Sequence, residues 1–513
     1  MKKIIYIPLD ERPCNYEFPV MLAAGTEYSV VRPDLSMMGL KKRPGDVERL
    51  WAWLFEQARD ADGAIIALDT LLYGGIIPSR LHRITAEQCN ERLENVRELK
   101  RINPSLQLFA FQLVMRCPRY SSSDEEPDYY ANWGREIFQR GYIRHRVELG
   151  IATEDEHREL RQIEEALPEE VWQEYTSRRA VNLEANKRAI ELVKDRVVDF
   201  MVIPQDDSAP YGLTALDQQE IRERVKACRQ QFSVYMYPGA DEAGCTLLAR
   251  MINRFEHRKP RVHVHFSSVQ GPLITPLYED RVLYESVKYH IMAAGGLMAS
   301  SLPEADMALC INAPGDSMME AVNQGQPHLS YQVSRNLVEL VEMADDIVRR
   351  LGKPCVIADT AYANGADLEL LQMLRDKKLL FELAGYAGWN TTCNTLGTCI
   401  AQGMIYAIYG DTPQHRDFLS LRYVEDGGYC ALVRREVSGR ILPGMGLDYF
   451  GVDGQRGRVA EQVRAELNLF IETCLLDGED EYEIVIDDCY MPWSRMFEVG
   501  LKTHVRNKKK GNG

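Results

Sequence analysis

Short apolar runs that each break off into a polar or glycine-bearing cluster are the feature that most restricts the fold of this chain. Nine follow one another: KIIYIPLDERP, GAIIALDTLLYGG, LQLFAFQLVMRCP, DFMVIPQDDSAPYG, FSVYMYPGADEAG, RVHVHFSSVQG, DMALCINAPGD, PCVIADTAYANGAD and LAGYAGWNTTCNTLG. Strands that are apolar without alternation are buried on both faces, as in parallel sheets covered by helices. The intervening segments supply those helices, since DVERLWAWLFEQA and LVELVEMADDIVRRLG carry apolar residues at helical spacing. The pattern predicts an α/β protein with a (β/α)8-barrel-like parallel core of the TIM-barrel type. Nine strands exceed a closed barrel by one, so RVHVHFSS or FSVYMYPG is expected to lie outside it. The alternative is two stacked open parallel sheets divided near residue 255. A charged, helix-rich stretch over about 124–194 reads as an insertion after the third strand. The regular pattern ends near residue 403, which gives an expected α/β domain over 1–403 and a C-terminal region over 404–513.

Composition narrows the function classes. The 513 residues are 45% hydrophobic and 27% charged, enough for a sizeable core. A formal net charge of −15 argues against nucleic acid or an anionic membrane as partner. The basic run Lys508, Lys509, Lys510 reads as a solvated tail rather than an interaction patch. At the amino terminus, Pro8, Asp10, Glu11 and Arg12 interrupt what would otherwise resemble a signal peptide, so that segment is expected to be the first strand. No stretch reaches the roughly 18 apolar residues of a membrane span. Twelve cysteines without a C-x-x-C pair suit reduced thiols, and a cytoplasmic location is expected.

Nearly every polar cluster lies at the carboxyl end of its strand, the face on which α/β proteins build their sites. Asp206 and Asp207 are adjacent there, and neighbouring carboxylates repel unless a charge, a proton or a substrate divides their roles. Successive side chains diverge from an extended backbone, so the two can reach different atoms of one substrate. Hydrolysis of a 2-acetamido sugar suits such a pair, because the acetamido oxygen is itself the nucleophile. In that chemistry Asp206 orients the acetamido N–H and Asp207 is the general acid. The competing reading makes Asp206 a turn cap and Asp207 a helix start or backbone ligand. Asp10, Glu11, Asp69, Asp241, Glu242 and Asp359 occupy comparable strand ends, a ring suited to sugar hydroxyls or to a divalent metal. Arg12, Arg80 and Arg116 are counter-charges for these acids, or plain structural ion pairs. Trp389, with Asn390 and Asn394, offers a ring face and amides for a pyranose; alternatively Trp389 is a buried anchor, with Asn394 capping the helix that follows. His263 and His265 share one strand face, a spacing seen in metal-dependent hydrolases, but no further histidine motif accompanies them. Phosphate-loop and nucleophile-elbow motifs are absent.

Five of these motifs, IPLDERPCN, YGGIIPSR, PQDDSAPYG, IADTAYANGADLELL and GYAGWNTTCNTLGT, resemble in the same order a bacterial family described as a domain of unknown function. A shorter similarity is to the substrate-assisted hexosaminidases of glycoside hydrolase families 20 and 84. Those are (β/α)8 barrels with an Asp-Glu or Asp-Asp pair after the fourth strand, and the similarity implies the same roles for Asp206 and Asp207. The expected function is therefore a retaining glycoside hydrolase, of β-N-acetylhexosaminidase type, releasing terminal GalNAc or GlcNAc. Asp206 and Asp207 are its expected catalytic residues. Asp10, Arg12, Asp69, Arg80, Asp241, Glu242, Asp359, Asn364, Trp389 and Asn390 are expected to bind the substrate. No cofactor and no metal are called for; the expected partner is a small carbohydrate, and a homo-oligomer is compatible with the sequence. The alternatives are a metal-dependent hydrolase using the carboxylates with His263 and His265, and a non-catalytic carbohydrate-binding protein.

Overall fold

A computed structural model of the protein describes residues 1–477 and 480–508. It is an α/β protein in which all nine apolar runs form parallel strands. The hydrogen-bonded ladders follow the two-sheet form of the expectation, with six strands in one sheet and five in the other. Both FSVYMYPG and RVHVHFSS pair within these sheets, so neither is left outside.

The chain divides into two compact units. The first comprises Met1–Glu11, Tyr28–Gly244 and Tyr278–Asp280. Its strands are β1 (Lys2–Ile7), β2 (Tyr28–Val31), β3 (Gly63–Ala67), β4 (Gln107–Phe111), β5 (Phe200–Gln205) and β6 (Val234–Pro238), in the order β2-β1-β3-β4-β5-β6. Every residue of β3 and β5 is buried, which is why these strands read as unbroken apolar runs. The second unit comprises Arg12–Glu27, Cys245–Leu277 and Arg281–Gly513. It holds β7 (Arg261–Phe266), β8 (Leu297–Met298), β9 (Met307–Asn312), β10 (Met319–Glu320), β11 (Cys355–Asp359), β12 (Tyr362–Ala363), β13 (Gly385–Ala387), β14 (Tyr482–Tyr490) and β15 (Gly500–Asn507). Five of these form the sheet β8-β7-β9-β11-β13, while β10 pairs with β12 and β14 with β15.

The two large sheets share one winding rule. In each, the first strand lies between the second and third, and later strands add on one side. That is the doubly wound order, with a topological switch point beside the first strand.

Two strands of the large sheets escape sequence reading. β2 is four residues long and only its first residue is buried; β8 has two residues. Counting β2 moves the helical insertion from after the third strand to after the fourth, and places Asp206 and Asp207 after the fifth. The apolar LLY after β3 belongs to a short buried helix, Leu68–Tyr73, rather than to the strand. The insertion consists of Tyr130–Glu148, Glu154–Ala166 and Glu169–Lys194. Its middle helix starts from a capping box in which Thr153 and Glu156 satisfy each other's backbone N–H.

In the second unit the helix Thr392–Tyr409 packs on the sheet through Gly403, where a Cβ would stand 2.2 Å from Val356 Cγ2. Val356 is fully buried and β-branched, so it has no room to yield. Gly403→Ala is expected to cost about 1–3 kcal/mol, read as a lower urea midpoint at unchanged slope.

Among the described residues the twelve cysteines form no disulfide bond, and eleven of them are buried. Among the described residues, no helix is long and apolar enough to cross a membrane. Of the tail lysines, Lys509 and Lys510 lie outside the described residues.

Candidate active site

The first unit gathers its functional side chains where β3, β4 and β5 end. β4 and β5 stay in register past their ladder, with Val114 bridged to Gln205 and its N–H donating to Pro204 at 3.0 Å. This carries Arg116 alongside the turn that begins at Asp206. The insertion then clamps that segment. The Tyr175 hydroxyl donates to the Arg116 carbonyl at 2.9 Å, and Arg179 Nη2 donates to the Met115 carbonyl at 2.6 Å. From the other side, Arg80 arrives on the turn Pro78–Arg80.

The two arginines divide the aspartate pair between them. Arg80 Nη2 lies 2.8 Å from Asp206 Oδ2, and Arg116 Nη1 lies 3.1 Å from Asp207 Oδ2. Behind them both arginines share Glu125 and Glu126. Arg80 Nη1 reaches these at 3.0 and 3.3 Å, while Arg116 reaches Glu125 through Nη2 and Glu126 through Nε, both at 2.8 Å. Arg80, Arg116 and Glu126 are buried, whereas 19% of the Asp206 and 26% of the Asp207 side chain is exposed. Glu125 is 19% exposed as well, so the aspartates and Glu125 are the partly exposed members of a network whose arginines and Glu126 are interior. Asp207 sits at φ 44°, in the left-handed region, on a turn rather than at the start of a helix; the next helix begins at Leu213.

Four carboxyl groups face two guanidinium groups, an excess that protonation relieves. Burial and then the Asp207 charge raise Asp206 to about 6, against the pull of Arg116 and Arg80. Burial raises Asp69 to about 7, although it accepts a hydrogen bond from the Leu113 N–H at 2.9 Å. Asp241 adds to the negative field on Asp206. Asp10, Asp241 and Glu242 are buried at the ends of β1 and β6, and Glu242 accepts from the Ala240 N–H at 2.9 Å. Arg80 and Arg116 are therefore partners of the aspartate pair, as the sequence suggested. Glu125 and Glu126 were missed, because the run DEEP before a helix looks like ordinary N-terminal acids.

The other expected residues belong to the second unit. Asp359, at the end of β11, accepts from Asn312 Nδ2 at 2.9 Å, the Tyr386 hydroxyl at 2.9 Å and the Asp367 N–H at 2.7 Å. Its oxygens are thus occupied by the chain itself, and burial raises it to about 7. Arg12 lies 3.5 Å from Glu498 and places its guanidinium 4.7 Å from the centre of the Trp493 ring. Trp389 is buried at 6% exposure, with its Nε1 3.3 Å from Thr398 Oγ1 and Phe18 edge-on at 5.7 Å. Asn364 and Asn390 meet through backbone, the Asn364 N–H donating to the Asn390 carbonyl at 2.8 Å. Asn394 is not the cap: Thr391 holds that position, and Asn394 lies in the first turn, donating to Thr391 Oγ1 at 3.1 Å. His263 and His265 stand on β7, where His265 bonds Glu339 at 2.9 Å. Among the described residues, no group of three or more His, Cys, Asp or Glu is placed to hold a metal ion.

Fold and site together define a doubly wound α/β protein that carries a carboxylate–guanidinium network at the carboxyl ends of its first sheet. Residues 4–502 match the family described as "Protein of unknown function (DUF4127)", and the chain belongs to that family. No curated protein matches it.

Proposed function

We propose that the first unit is the catalytic part of a retaining glycoside hydrolase that releases terminal N-acetylhexosamine by substrate-assisted catalysis. One observation carries this reading: at the end of β5, a carboxyl raised to about 6 adjoins a second carboxylate, each on its own arginine. Two titratable neighbours in unlike environments divide into an acid and a charge.

The raised proton affinity of Asp206 supports assigning the roles in the opposite sense to the motif analogy. Asp206 is the general acid and Asp207 orients the acetamido group. The acetamido oxygen attacks the anomeric carbon, the bond to the aglycone oxygen breaks, and the Asp206 proton moves to that oxygen. Asp207 accepts the acetamido N–H as positive charge spreads over the forming ring. The carboxylate left on Asp206 stays paired with Arg80. Water then opens the cyclic intermediate at the anomeric carbon and returns its proton to Asp206, with net retention. Twelve cysteines outside any disulfide support a cytoplasmic setting.

The test is a panel of chromogenic 2-acetamido glycosides with the wild type and Asp207→Ala. Wild type is expected to turn over GlcNAc or GalNAc glycosides but not their 2-hydroxy counterparts. A thiazoline mimic of the cyclic intermediate is expected to bind wild type about 10²–10³ times more tightly than Asp207→Ala. Equal binding to both would overturn the assignment.

Because the substrate supplies the nucleophile, activity is expected to survive exhaustive EDTA treatment. Loss on chelation, with recovery on adding zinc or manganese, would favour the metal-dependent alternative.

A further inference from the structure

The RVHVHF strand of the second unit plays no part in the first-unit site, and along half its length it is paired on one side only. In a parallel sheet each residue sends its N–H and C=O to one side, and the next residue sends them to the other. On β7 the odd-numbered residues face β9. At one end the Arg261 carbonyl accepts from the Asp306 N–H at 2.8 Å, and at the other the Ser267 N–H donates to the Ile311 carbonyl at 2.9 Å. The even-numbered residues face β8, since the Val262 carbonyl accepts from the Ala299 N–H at 2.8 Å. β8 is two residues long, and its ladder ends at Val262. The N–H and C=O groups of Val264 and Phe266 therefore point into an open lane, with no hydrogen-bond partner among the described residues. The strand from His263 to Phe266 is only half-buried.

The side chains add a charge preference. Arg261, His263 and His265 alternate with apolar residues and so share one face of β7. His265 bonds Glu339 at 2.9 Å, whereas the side chains of Arg261 and His263 have no hydrogen bond or ion pair among the described residues. On the other face Phe266 meets Tyr284 of the helix Leu283–Ala293, with ring centres 6.0 Å apart, and Tyr284 is 37% exposed.

A lane of alternating donors and acceptors is matched by extended backbone, and opposite charges on neighbouring strands attract. We propose that the carboxyl-terminal half of β7 binds an extended acidic peptide segment as an added strand. Its backbone pairs with Val264 and Phe266, and its carboxylates meet Arg261 and His263 on one face. Its alternate apolar side chains lie against Phe266 and Tyr284 on the other. The uncompensated charge of Arg261 and the ring N–H of His263 select acid over base. This site rests on the second unit alone and stands whether or not the glycosidase reading does.

The probe is an amidated, fluorescein-labelled hexapeptide alternating Glu and Val, titrated into the full chain by anisotropy beside its Lys–Val counterpart. Saturable binding of the acidic peptide is expected, with the basic one at least about tenfold weaker. Val264→Pro removes an N–H that faces the open lane and so spares the β9 ladder. It is expected to weaken the acidic peptide at least about tenfold. Arg261→Glu, at an exposed side chain, is expected to do the same. N-methylation of the probe gives a readout independent of how the variants fold. Methylating one alternate set of its residues is expected to abolish binding, and methylating the other set to leave it. The proposal is overturned if wild type shows no saturable binding, if both peptides bind alike, or if the two methylated sets behave alike. Unchanged binding by folded Val264→Pro or Arg261→Glu would overturn it too. Light scattering checks the other occupant: a dimer that Val264→Pro splits would give the edge to a second copy of the chain and overturn the peptide.

Discussion

Asp206→Asn is expected to lower kcat on an unactivated N-acetylhexosaminide by about 10²–10⁴ while largely sparing an aryl glycoside with a good leaving group. A general acid matters least when the departing oxygen needs no proton. The pH profile gives a second, independent reading. In the proposed mechanism catalysis needs the protonated form of Asp206, whose carboxyl is raised to about 6 by burial and by Asp207. Activity on the unactivated substrate is therefore present below that value and falls as pH rises through it. In the kcat/KM profile of the free enzyme this appears as a descending limb near 6. The Asn variant is expected to lose that limb. Equal losses on both substrates, with the limb intact, would remove Asp206 from the donor role.

Arg116→Met has the largest expected effect on stability. Arg116 is 9% exposed, and its guanidinium holds Glu125, Glu126 and Asp207 together. Glu126 is fully buried, and its Oε2 has no hydrogen-bond partner among the described residues, so it depends heavily on the bonds that its other oxygen accepts. Removing one partner of a buried ion pair strands the other charge, at about 3–5 kcal/mol. Urea unfolding is expected to show that loss, and Glu126→Gln in the same chain to recover part of it. Arg116 also pulls the Asp206 proton affinity down, so the residual activity should keep its descending limb to a higher pH than wild type. A variant as stable as wild type would show that this network does not hold the insertion in place.

The sequence by itself determined the class of fold and much of the first site. Runs such as FMVIPQ are apolar without alternation because both faces of a central parallel strand are covered, a requirement that each residue registers locally. The polar clusters that end these runs marked Asp206, Asp207, Arg80 and Arg116, and the structure gathers all four. Short edge strands were illegible: Tyr28–Val31 has one buried residue, and two-residue β8 leaves no pattern. Which sheet a strand joins was equally hidden, because backbone hydrogen bonds pair strands without a side-chain signature.

Only the tertiary structure decided how the charges are distributed. Glu125 and Glu126 are 80 or so positions from Asp206, and nothing local distinguishes them from helix-start acids until Arg80 and Arg116 reach them. Asp359 looked like a ligand, yet Asn312, Tyr386 and the Asp367 backbone already occupy its oxygens. The raised proton affinity of Asp206 is the clearest case. Two adjacent aspartates are chemically alike in the chain, and what raises the proton affinity of Asp206 is the loss of water around it and the charge of its neighbour. Desolvation is set by everything packed within a few ångströms, which no string of residue types records.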